Sequence, residues 1–121
     1  MTQVSIYHNP RCSKSRQTLA LLEENNCQIT VIEYLKTPPS AQTLTQILDR
    51  LTFTPRELMR KKEPEYKALN LQDETLSSAE LIQAMVANPK LIERPIVLTN
   101  NQAVIGRPPE NVLTLLARNK S

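Results

Sequence analysis

The sequence predicts an α/β fold: a βαβ half and a ββα half with a block of helices inserted between them. Three observations predict it. Short runs of strand-forming residues occur near the two ends of the chain, at Val4 to His8, Ile29 to Leu35, Pro95 to Leu98 and Ala103 to Ile105. Between Ser40 and about Asn88 every signal is helical. The 121 residues make one domain of ordinary size, large enough for its own apolar core.

The elements follow in order. Val4 to His8 is rich in Val, Ile and Tyr and stops at Asn9-Pro10, a turn signal. Ser13 to Asn25 reads as a helix with Thr18, Leu19, Leu21 and Leu22 on its apolar stripe, and Asn25-Asn26 ends it. Ile29 to Leu35 is a second, β-branched strand. A strand, a helix and a strand in this order favour parallel pairing through a right-handed crossover. Pro38-Pro39-Ser40 opens the helical block, where Ser40 caps a helix carrying Leu44, Ile47, Leu48 and Leu51. Thr54-Pro55-Arg56-Glu57 is a capping box with proline at the first helical position. Ser77-Ser78-Ala79-Glu80 is another, followed by Leu81, Ile82, Met85 and Val86, and closed by Asn88-Pro89. Asn100-Asn101 then makes a hairpin turn between the last two strands. Pro108-Pro109-Glu110 starts a final helix through Val112, Leu113, Leu115 and Leu116.

A βαβ half joined to a ββα half is the plan of the thioredoxin-like fold. Residues 1–121 are therefore expected to form a single domain, with a helical insertion at about 40–90.

Composition narrows the chemistry. A single glycine excludes a Walker A loop and a dinucleotide fingerprint. One histidine and two cysteines cannot build an ordinary four-ligand zinc site, so no metal is expected. Fifteen basic and twelve acidic side chains leave a net charge of +3, too mild to argue for nucleic acid but compatible with small anions. No 18-residue apolar run predicts a membrane span, and the first residues lack the regions of a signal peptide. A cytoplasmic location is expected, with Cys12 and Cys27 as free thiols.

The segment His8-Asn9-Pro10-Arg11-Cys12-Ser13-Lys14-Ser15-Arg16 carries the chemistry. It sets a cysteine between a strand end and a helix start. The unpaired amides and macrodipole of a helix N-terminus favour negative charge, and Arg11, Lys14 and Arg16 add positive charge. Such a setting stabilises a thiolate and can also hold an anion. The alternative is a small buried residue that precedes a helix. Cys27 has no basic neighbours and reads as structural. Ser15 stands where a C-x-x-C pair would need its second cysteine, so a thiol cycle here uses an external thiol. His8 either tunes the thiolate or is a strand-end residue with a satisfied hydrogen bond. Arg60, in Arg60-Lys61-Lys62, reads as part of a solvated helix face. Arg94 and Arg107 each precede a proline at a strand edge and read, from their own positions, as surface residues.

Taken together, six segments resemble the glutaredoxin-linked arsenate reductase family (ArsC-like), most closely its short YfgD-type branch. They are Ile6 to Arg16, Tyr34-Leu35 with Thr37-Pro38, Arg56 to Arg60, Leu81 to Met85, Asn88 to Val97, and Ile105 to Glu110. The resemblance covers essentially the whole chain. It implies a catalytic cysteine at Cys12, thiolate-tuning residues at His8 and Ser15, oxyanion-binding arginines at Arg60, Arg94 and Arg107, and a cis-proline at Pro95. It reverses the surface reading of the three arginines. It also implies arsenate reduction to arsenite through a Cys12 thiolate–arsenic adduct. Glutathione is then a co-substrate and glutaredoxin a partner, with no bound cofactor. Ser13-Lys14 stands where better-studied members carry a Gly-Thr-type pair. Two other functions share the fold: a thiol–disulfide or deglutathionylating oxidoreductase, and a Spx-like non-enzymatic regulator. Spx-type proteins carry a C-x-x-C switch in this loop, and Ser15 argues against that reading.

Overall fold

The computed structural model describes residues 2–118. Its strands are β1 (Gln3–His8), β2 (Gln28–Glu33), β3 (Ile96–Leu98) and β4 (Ala103–Ile105). Its helices are α1 (Ser13–Glu24), α2 (Ala41–Leu51), α3 (Pro55–Leu58), α4 (Pro64–Ala68), α5 (Ser78–Ala87) and α6 (Asn111–Arg118), with a 3-10 turn at Pro89–Leu91. The chain divides into two compact units, one formed by the segments up to Thr37 and from Arg94 onward, the other by Pro38–Glu93.

The first unit holds a four-stranded sheet in the order β2-β1-β3-β4. β1 and β2 are parallel, while β3 runs antiparallel to both β1 and β4. This is the thioredoxin-like arrangement, and the mixed α/β class expected from the sequence holds. Side chains alternate across a strand, so Val4, Ile6 and His8 share one face of β1. On that face Val4, Ile6 and Val97 pack with Leu22 of α1 and with Val112, Leu115 and Leu116 of α6. The same parity carries His8 beneath α1, where it meets Ser15. The strand expected to reach Leu35 ends at Glu33. Lys36 N–H and Thr37 N–H both bond to the Glu33 carbonyl, so the chain turns there and Leu35 is left 42% exposed.

Gly106 follows β4 and fills a tight place. Its N–H bonds to the Pro95 carbonyl at 2.9 Å. A Cβ built on it would stand 2.5 Å from Thr18 Oγ1, 2.8 Å from Pro95 Cγ and 2.9 Å from Thr18 Cγ2. Thr18 is wholly buried, and its Oγ1 donates to the Lys14 carbonyl, with the Gly106 carbonyl 3.3 Å away as a second acceptor. A β-branched side chain so held cannot swing aside. Gly106→Ala is therefore expected to lower the unfolding free energy by about 2 kcal/mol, within the usual range for overpacking. Adding Thr18→Ala should recover part of that loss relative to the sum of the single changes. Urea unfolding of the four chains checks it, and an unchanged midpoint in Gly106→Ala would refute the close approach.

The second unit is helical, and its start signals are those of the sequence. Ser40 Oγ accepts from Thr43 N–H, and Thr54 and Ser77 form the two capping boxes. The Thr54 N–H bonds to Glu57 and holds that carboxylate below its ordinary range. Helix α3 nevertheless ends after four residues, because the chain leaves it to pair with the segment after the 3-10 turn. Met59 bridges Ile92, Arg60 N–H bonds to the Leu91 carbonyl at 2.7 Å, and Glu93 N–H to the Leu58 carbonyl at 2.9 Å. Arg60 is thus not on a helix face. Arg56 ties this unit together by donating to Tyr66 Oη at 2.8 Å, to the Leu71 carbonyl, and to the Asp73 carbonyl at 3.0 Å.

Candidate active site

The loop between β1 and α1 is shaped by its own sequence. Asn9 Oδ1 accepts from Arg11 N–H and the Asn9 carbonyl from Cys12 N–H, each at 3.0 Å. Asn begins such turns by bonding its own backbone two residues on, and Pro10 presets the next φ. Arg16 reaches back from α1 to donate to the Pro10 carbonyl at 2.8 Å. The turn delivers Cys12 to the N-cap of α1 in an extended conformation, φ −94° and ψ 123°. Its carbonyl accepts from Arg16 N–H, and its side chain makes no capping bond. The Cys12 sulfur is therefore half-exposed at the positive end of a 12-residue helix.

His8 and Ser15 hold the base of the loop. Ser15 Oγ accepts from Asn9 N–H at 3.0 Å and lies 2.6 Å from His8 Nδ1. Both side chains are buried. Burial pushes the His8 imidazole below its ordinary value; the Glu33 carboxylate works against that shift, and Arg16 adds to it. His8 Nδ1 and Ser15 Oγ share this hydrogen bond, and which of them donates is set by the imidazole tautomer.

Arg107 comes from the far end of the chain. It follows Gly106, and its Nη1 points toward Cys12 Sγ at 3.8 Å and bonds to the Arg94 carbonyl at 3.4 Å. Asn111 Nδ2 donates to the carbonyls of Ile105 and Arg107, which fixes the backbone where the arginine departs. Arg94 is half-buried at the entry to β3. The Arg94–Pro95 and Arg107–Pro108 peptides are both cis. Cys12, His8, Ser15, Arg94, Pro95 and Arg107 thus all belong to the sheet-bearing unit. Arg60 belongs to the other unit, where its guanidinium is paired with Glu63 and its Nε stands 4.0 Å from Glu93 Oε1.

The supporting residues were not visible in the sequence. Asn111 looks like any polar residue in the first turn of a helix. Arg16 counts only as one more charge until its bond to Pro10 is seen. Cys27 packs against the core, and burial pushes its thiol up, away from reactivity at neutral pH. Among the described residues no group of three or more His, Cys, Asp or Glu is arranged to hold a metal ion, and no helix is long and apolar enough to cross a membrane.

A half-exposed thiol at a helix N-terminus, with a guanidinium directed at it, is equipped to attack an anion and hold it during attack. The chain is similar to known proteins along most of its length. It is 60% identical over 115 residues to the Escherichia coli (strain K12) protein YfgD, covering 94% of this chain and 97% of that one. It is 49% identical over 114 residues to the arsenate reductase of Haemophilus influenzae, with 93% and 98% covered. The solved structure of an arsenate reductase from Vibrio cholerae superposes with a TM-score of 0.91 at 54% identity, covering 93% of this chain and 97% of that one. With residues 7–115 matching the ArsC family, the chain belongs to that family.

Proposed function

We propose that this protein is an arsenate reductase that turns arsenate into arsenite through Cys12, with glutathione and glutaredoxin as reductants. The observation that carries the reading is the 3.8 Å approach of Arg107 Nη1 to Cys12 Sγ at the N-cap of α1. A thiol alone would suit many reactions. A thiol beside a planar fork of donors suits a tetrahedral oxyanion, which accepts hydrogen bonds while its central atom is attacked.

The chemistry runs in balanced steps. The Cys12 thiolate attacks arsenic and one oxygen leaves as water, which forms a sulfur–arsenic(V) bond. Arg107 and Arg94 hold the remaining oxygens. Glutathione then attacks and displaces a second oxygen as water. A glutaredoxin thiol attacks the glutathione sulfur, and the glutathione–arsenic bond breaks with its electron pair staying on arsenic. Arsenic(V) becomes arsenic(III), while the two external thiols become a mixed disulfide. Water releases arsenite and returns the Cys12 thiol. His8 and Ser15 keep the loop in place.

The test is arsenate-dependent NADPH oxidation in a coupled assay with glutathione, glutaredoxin and glutathione reductase, with arsenite identified as product. Turnover above the Cys12→Ser blank is the expected result. Its absence at saturating glutaredoxin would sink the reading.

A further inference from the structure

Glu33 stands in register with His8, and the oxyanion chemistry gives it no part. His8 is the last residue of β1 and Glu33 the last of β2, and the two strands are parallel. Neighbouring strands run about 5 Å apart, and partners in register turn their side chains to the same face. Both residues line one cavity of about 220 Å³, and that lining is almost wholly apolar. Charges that meet across apolar surface are less screened than charges in open water. Burial pushes the imidazole below its ordinary value; the Glu33 carboxylate pulls it back, and Arg16 adds to the fall. Glu33 is itself paired, since its Oε1 lies 3.5 Å from Lys36 Nζ, and a pair so exposed is weak. The sheet end around His8 gathers Glu33 of β2, Lys36 in the turn after it, Arg11 and Cys12 in the loop, Arg16 of α1, and Arg94 and Arg107 beside β3 and β4. Glu33 is the one carboxylate in this group.

We propose that Glu33 is a positioning residue for the Cys12 chemistry: its carboxylate governs whether His8 carries a proton, and through the bond between His8 and Ser15 it governs the loop that presents the thiol. The inference rests on the function proposed above only in taking Cys12 as the nucleophile. The chain of contacts is short. Ser15 Oγ lies 2.6 Å from His8 Nδ1 and accepts from Asn9 N–H at 3.0 Å, and the Asn9 carbonyl accepts from Cys12 N–H. A neutral imidazole donates or accepts at Nδ1 according to its tautomer, whereas a protonated one only donates. Protonation therefore fixes Nδ1 as the donor. Ser15 Oγ then accepts from two N–H groups at once, with its own proton turned elsewhere. Glu33 favours that state. Lys36 opposes it, by its own charge and by its pair with Glu33. Neither side chain builds the turn itself: Lys36 N–H and Thr37 N–H bond to the Glu33 carbonyl, which side-chain changes leave in place.

His8 is the only histidine in the chain, so its ring signals in an NMR titration are identified at once. Glu33→Gln should lower the proton affinity of His8 about threefold, and Lys36→Gln should raise it by a similar factor. Glu33→Asp keeps the charge and should stay close to the parent protein. The pH profile of Cys12 alkylation by iodoacetamide should carry an inflection at the His8 midpoint and should move with it in these variants. A merely structural role would not give these signs, because both Gln variants break the same ion pair yet move the profile in opposite directions. A His8 midpoint that stays put in Glu33→Gln, or that moves the same way in both Gln variants, would overturn the role of Glu33. A midpoint that moves while the alkylation profile does not would overturn the link to the loop. Neither measurement uses arsenate. The expected shifts in a protein without arsenate turnover would uphold Glu33 and remove the arsenate reading, while unmoved profiles in an active reductase would do the reverse.

Discussion

Replacing Cys12 with serine is expected to cut arsenate-dependent turnover by at least about a thousandfold while leaving the fold equally stable or slightly more so. The two effects have separate causes. A serine hydroxyl stays protonated at neutral pH and makes no stable bond to arsenic, so the first step is lost and not merely slowed. The stability effect comes from position. Cys12 is the N-cap of α1 and its side chain makes no capping hydrogen bond. Serine is among the preferred N-cap residues, and a bond from its oxygen to a first-turn amide is worth about 0.5–1 kcal/mol. Loss of activity with retained or raised thermal stability therefore separates chemistry from misfolding. The variant should also lose the fast phase of iodoacetamide alkylation near neutral pH. Only Cys27 then remains, and burial pushes its thiol up. Turnover above about a tenth of the parent enzyme would assign the nucleophile to another group.

The legible features in the sequence were the local ones. The two capping boxes at Thr54 and Ser77, the Ser40 cap and the Asn9-Pro10 turn are short patterns whose partners lie within a few residues, and each forms in the structure. Asn25-Asn26 marked the end of α1, and Asn26 indeed takes a positive φ of 56°. Features set by distant chain were not legible. Tyr34 and Leu35 have the composition of a strand, yet bonds from Lys36 and Thr37 back to Glu33 turn the chain before them. Arg60 follows a helix start signal, yet pairing with Leu91 draws it out of the helix. Thr52 takes φ 57° at the end of α2, a conformation that a β-branched residue gives no reason to expect. Nothing local to Cys12 or Arg107 announces their contact across 95 residues. The sequence names Cys12 through its setting at a helix start, but Arg107 looks like a surface residue until the β3–β4 hairpin returns it to the loop.

Arg107→Ala is expected to lower kcat/KM for arsenate about a hundredfold, the scale on which one oxyanion donor matters. Arg107 is exposed at the surface, so its removal should move the thermal midpoint very little. Arg107→Lys should recover only part of the loss, because an ammonium restores charge without the planar fork that takes two oxygens together. The same variants discriminate between functions. A thiol–disulfide exchange has no oxyanion to hold, so turnover of a glutathionylated peptide through Cys12 should fall only a few-fold in Arg107→Ala. Equal losses on both substrates would show that Arg107 serves the thiolate and not the oxyanion. A loss confined to arsenate would fix the guanidinium on the substrate. The prediction also bears on Asn111, whose Nδ2 holds the carbonyls on either side of Gly106. If the position of the guanidinium and not its charge alone sets the rate, Asn111→Ala should reproduce a fraction of the Arg107→Ala defect with arsenate and none of it with the peptide.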